Sequence, residues 1–135
     1  MSLALIRRAF ETTLQTWGTA QGVTILFENV AAEKPETAYA ESFVLPAPTQ
    51  SQGIGRTHRG YTGVFQVSLS LPQNAGPGAA AALAASLDAA FPLNAPITVG
   101  GLEVWLTSPM SAAPALPDAS RYRVPVSASY LANNI

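Results

Sequence analysis

Thr62-Gly63-Val64-Phe65-Gln66-Val67-Ser68-Leu69-Ser70-Leu71 alternates apolar and polar residues over most of its length. Successive side chains of an extended chain point to opposite faces. The run is therefore a strand with Phe65, Val67, Leu69 and Leu71 facing a core and Gln66, Ser68 and Ser70 facing out. Pro72 closes it, because proline has no N–H to give to a ladder.

Upstream, Ala38 to Leu45 (AYAESFVL) reads as another strand, with Tyr39, Glu41, Phe43 and Leu45 on one face and Pro46 and Pro48 ending it. If these two strands pair as a hairpin, Gln50 to Gly60 (QSQGIGRTHRG) is its tip, polar and without period, and reads as a loop. Its length exceeds that of ordinary hairpin loops, so it is either a contact-making segment ordered by a partner or a solvated tip with none. Val23 to Glu28 (VTILFE) is a shorter strand, with Pro35 in the connection that follows. Before it, Leu3, Ile6, Phe10, Leu14 and Trp17 recur at spacings of three and four, the pattern of an amphipathic helix. Ser2 is placed to cap its start and Gly18 to end it. Arg7, Arg8, Glu11, Thr12 and Gln15 fall on its solvent side.

Downstream, Gly76-Pro77-Gly78 opens a second helix, in which Leu83, Leu87 and Phe91 share a face and Pro92 marks the stop. Its other face, Ala81, Ala82, Ala85, Ser86, Asp88 and Ala89, carries one charge, where a surface helix carries several. Two readings follow. Either alanine simply favours the helix on a solvated face, or Ala81, Ala82, Ala85 and Ala89 are covered by another subunit. Ile97-Thr98-Val99 and Leu102 to Thr107 flank Gly100-Gly101 as a tight hairpin. Pro109 to Ala119 reads as an irregular connection. Arg121 to Leu131 is a last strand with Tyr122, Val124, Val126, Ala128 and Tyr130 on one face, and Asn133 and Asn134 form a fraying tail. Pro125 argues for an edge position or a bulge. The expected fold is α+β: one domain over 1–135, a mostly antiparallel sheet of five to six strands and two helices packed on it. Phe10, Phe65, Leu69 and Leu87 are its expected common core.

Composition excludes more than it assigns. Of 135 residues, 24 are Ala and only 15 are Asp, Glu, Lys or Arg, for a net charge of −1. The chain is too apolar for a disordered one and too weakly charged to bind nucleic acid through overall charge. With no Cys and one His, thiol chemistry, disulfides and Cys- or His-cluster metal sites are excluded. No apolar stretch suffices for a membrane span, and Leu3-Ala4-Leu5-Ile6 precedes Arg7-Arg8, the reverse of a signal peptide, so a cytoplasmic setting is expected.

Catalytic chemistry is thin. His58, flanked by Arg56 and Arg59, is the sole imidazole and has no obvious orienting partner. The acids are scattered, and neither glycine cluster matches a phosphate-binding fingerprint. No cofactor is expected. The cations are more telling. Arg56 and Arg59 share the hairpin tip with His58, and Arg121 and Arg123 share one face of the last strand, so these five residues are the candidate partner contacts.

The order of segments resembles a known family. It runs from Ile6-Arg7-Arg8-Ala9-Phe10, through Phe27-Glu28-Asn29, a Pro-bearing loop and Leu45-Pro46-Ala47, to Gly63-Val64-Phe65-Gln66-Val67 and Leu71-Pro72. Gly76, an alanine-rich helix ending near Phe91, and Tyr122-Arg123-Val124-Pro125-Val126 complete it. This order resembles the phage tail-terminator family, over nearly the whole chain. Glu41 stands where the family pattern has a basic residue. The resemblance implies a non-enzymatic structural protein of a phage or prophage, located in the virion tail and assembled in the host cytoplasm. It implies a ring, six-fold like the tube, that caps the head-proximal end of the tail tube, stops polymerisation and presents the head-attachment surface. The implied partners are other copies of the chain, the tail tube protein and the head-tail connector protein, with DNA only passing through the channel and no membrane. The alternatives are a neck or head-tail completion protein, and a small ligand-binding α+β domain with Tyr39, Tyr130 or His58 as polar groups.

Overall fold

The computed structural model describes residues 2–27, 37–47, 50–52, 58–72, 77–93, 95–114, 116–118 and 121–134, with backbone alone at 2–3, 50–52, 58–59, 77, 116–118 and 134. Helix α1 spans Ser2–Gln21 and buries Ile6, Phe10, Leu14 and Trp17, as their spacing predicts. Ser2 is its first helical residue and not a cap ahead of it. Gly18 does not end the helix either. Gly22 does, in the left-handed region at φ 70°, and the Val23 N–H closes the last turn by donating to the Gly18 carbonyl at 2.8 Å. Gly18 answers a different demand: a Cβ there would stand 2.7 Å from the Ile25 side chain, so only glycine lets the following strand pass this close.

One sheet holds nine strands among the described residues: β1 Thr24–Phe27, β2 Tyr39–Pro46, β3 Gln50–Gln52, β4 His58–Pro72, β5 Ile97–Val99, β6 Leu102–Leu106, β7 Ser111–Ala112, β8 Leu116–Asp118 and β9 Arg121–Asn134. Its main path runs β1-β2-β4-β9-β6-β5, with β3 beside β4 and both β7 and β8 beside β9. This corrects the expected mostly antiparallel sheet of five to six strands. The sheet is mixed, because β1 and β2 run parallel, Thr24 opposite Tyr39 and Phe27 opposite Ser42. The connection between them is long enough to carry the chain back to the end from which it started, which a tight hairpin cannot do. The extra strands are two- and three-residue pieces, too short for any periodicity. They form because β4 and β9, 15 and 14 residues long, extend beyond their main partners and offer free backbone groups.

Three further expectations change for the same reason. Gln50 to Gly60 is not a plain loop, since Gln50, Ser51 and Gln52 pair with Gly60, Arg59 and His58. Pro109 to Ala119 contributes two strands to the sheet. The supposed tail is ladder, with Asn133 opposite both Gly60 of β4 and Glu103 of β6. Pro125 lies in a central strand, not at an edge. Its carbonyl accepts from Ala113 N at 2.8 Å, so its missing N–H faces the side where β7 gives way to β8. The ladder to β4 on the other side is uninterrupted from Gly60 to Pro72.

Helix α2 spans Pro77–Ala90 and buries Ala80 and Leu87, with Phe91 just beyond it. Both helices lie on one face of the sheet: Phe10 from α1 and Phe91 after α2 pack on Phe65 of β4, and Tyr130 of β9 meets the Phe10 ring edge-on. Phe10, Phe65, Leu69 and Leu87 share one buried cluster. Trp17 Nε1 donates to Ser86 Oγ at 2.9 Å, which ties α1 to α2. Gly100 and Gly101, at φ 51° and 80°, make the tight turn between β5 and β6.

Candidate assembly surfaces

On the face of the sheet turned away from the helices, register decides which side chains meet. Tyr39, Ser70 and Arg123 lie in one row across β2, β4 and β9, and Glu41, Ser68 and Pro125 in the next. Arg121 reaches back over this face. Its Nε donates to Ser70 Oγ at 3.0 Å, and Nη2 donates to the carbonyls of Ser70 at 2.9 Å and Thr37 at 2.8 Å. The guanidinium also lies 4.8 Å from the centre of the Tyr39 ring. Arg123 pairs with Glu41 across β4. Ser68 and Ser70 do face away from the helices, as their alternation predicts, yet both are buried because these side chains cover them.

Arg121 and Arg123 do share a face, then, and both are engaged with neighbouring strands. Glu41, Tyr39 and Ser70 are the partners that sequence reasoning did not assign. Nothing local signals them, because they are separated from the arginines by 51 or more residues and meet only through the β2–β4–β9 register. The remaining basic candidates sit apart. His58 and Arg59 begin β4 opposite Gln52 and Ser51, with their side chains outside the described part, and Arg56 lies outside the described residues.

On α2, Ala81, Ala82, Ala85 and Ala89 are all exposed, in a row of small side chains that approaching backbone can contact closely. Asp88, the one charge on this helix, accepts the Met110 N–H at Oδ1, 3.2 Å away, and anchors the segment before β7. An apolar cavity of about 200 Å³ opens between α1, the α2–β5 connection and the β5–β6 hairpin. Phe10, Phe91, Ile97 and Trp105 line it, while Tyr39 and Tyr130 do not.

Tyr130 is buried with no hydrogen-bond partner for its hydroxyl among the described residues. Burial pushes its pKa above the usual tyrosine value, and the positive field of Arg7 opposes part of that rise. Among the described residues no group of three or more His, Cys, Asp or Glu side chains could hold a metal ion, and no helix is long and apolar enough to cross a membrane.

The arrangement is one of surfaces tied by strand-to-strand contacts, and comparisons with known proteins point the same way. A solved protein structure at 36% sequence identity superposes with a TM-score of 0.83, covering 98% of this chain and 96% of that one. A chain in the virion of a native gene transfer agent particle has the same fold at 16% identity, with a TM-score of 0.70 over 98% of this chain and 97% of its own. No curated protein matches the chain. The family model for phage tail terminator proteins matches residues 5–130, and the chain belongs to that family of virion structural proteins.

Proposed function

We propose that this protein forms a ring, six-fold like the tail tube, that caps the head-proximal end of the tube, ends its polymerisation and presents the surface to which the head attaches. The observation that carries this reading is the α2 face in a chain of the terminator family. Ala81, Ala82, Ala85 and Ala89 are exposed together on a helix whose single charge is occupied within the chain. A face of this kind packed on a different face of the next copy is a heterologous contact, which closes into a ring when its rotation divides a full turn. The tail tube protein and the head-tail connector are the other partners, and DNA passes through the channel without specific recognition. Arg56 and Arg59, with His58, meet the tube or the passing DNA from the β3–β4 tip. Arg121 and Arg123 hold the sheet together first and offer only the remaining surface of their guanidinium groups to a partner. Assembly takes place in the host cytoplasm, without a membrane and without catalysis.

Electron microscopy of tails made without this protein tests the assignment. Overlong tubes are the expected result. Tubes of normal length that fail to join heads would overturn capping and favour a neck or head-tail completion role.

A further inference from the structure

We draw no further inference here: the strongest candidate, the open apolar cavity between α1, the α2–β5 connection and the β5–β6 hairpin, lined by Phe10, Phe91, Ile97 and Trp105, carries nothing because nothing in the structure shows what covers it.

Discussion

The ring of Phe10 lies flat against that of Phe65, with centroids 4.4 Å apart and planes 7° from parallel. This contact fastens α1 to β4, and both side chains are fully buried. Phe65→Ala removes it and leaves a hole against Phe10 and Phe91. The expected loss is about 3–5 kcal/mol in denaturant unfolding, a large share of the stability of a chain this size. A loss under about 1 kcal/mol would contradict the packing described.

Gly63 of β4 lies opposite Pro46 of β2 and Tyr130 of β9. A Cβ there would clash with the Leu45 carbonyl oxygen and fall 2.8 Å from the Tyr130 ring. Gly63→Ala should therefore destabilise by about 1–3 kcal/mol through overpacking. Gly78, at the start of α2, meets nothing within 4 Å, and Gly78→Ala should stabilise by about 0.4–1 kcal/mol through the unfolded chain. Thermal unfolding of the two variants should shift in opposite directions, and equal shifts would refute the distinction.

Tyr130 predicts an alkaline effect with a definite sign. Its folded-state pKa is raised, so the folded protein holds the proton more tightly than the unfolded chain does. That contribution is fully present below about pH 10, the unfolded value, and is lost as pH rises toward the folded value. Tyr130→Phe removes the ionisation and a buried hydroxyl that has no partner among the described residues, so at neutral pH it should be neutral or stabilising by up to about 1 kcal/mol. Stability measured from pH 8 to 11 should fall less steeply in this variant than in the parent. Parallel curves would show that another group governs the alkaline limit.

Ala85→Glu places a long charged side chain in the middle of the exposed α2 face. In the isolated chain the change is solvated and should alter stability by no more than about 0.5 kcal/mol. Buried against a neighbouring copy it becomes an unpaired, desolvated charge. Rings observed by mass measurement should be lost while the monomer keeps its unfolding midpoint. Undiminished ring formation would show that this face is simply solvated.

The two arginine pairs should separate by what they affect. Arg121→Ala strips the Ser70 and Thr37 carbonyls and the Ser70 hydroxyl of a donor, at an expected cost of about 1–3 kcal/mol. The double change of Arg56 and Arg59 to Ser should leave thermal unfolding within about 0.5 kcal/mol of the parent. Instead it should reduce tube capping and weaken the salt dependence of capping, because exposed charges are screened over about 8–10 Å at physiological ionic strength. Normal tail lengths and particle yields with the double variant would remove the β3–β4 tip from the contact surface.

Legibility followed the range of the interactions. The inward row from Phe65 to Leu71, the α1 stripe and the Gly100-Gly101 turn are set by spacings of two to four residues, and a linear reading finds them. The parallel β1–β2 pair, the short β3, β7 and β8, and the depth of Ser70 depend on which strands become neighbours. No local pattern encodes that choice. Gly18 shows the same limit from the other side: its place near the end of a helix suggested a stop signal, while its use is to admit Ile25. The family was readable because the order of many weak segments survives where any one of them is ambiguous. The contacts of Arg121 and Arg123 were not readable, since an arginine on a strand looks the same whether it faces a solvent-filled groove or Glu41.

The position of β9 governs when this protein can become itself. It follows every other strand in the sequence, yet it lies in the middle of the sheet, between β4 and β6. Until Arg121 to Asn134 emerge from the ribosome, the strands on either side of β9 have no common partner. The edge of β4, 15 residues long, then lacks its main partner and is able to capture another nascent chain. Completion must then arrive at once, as one late segment joins both sides and buries Val124, Val126, Ala128 and Tyr130 together. Synthesis interrupted just before Arg121 would yield a sticky, unfinished product, not a smaller version of the same fold.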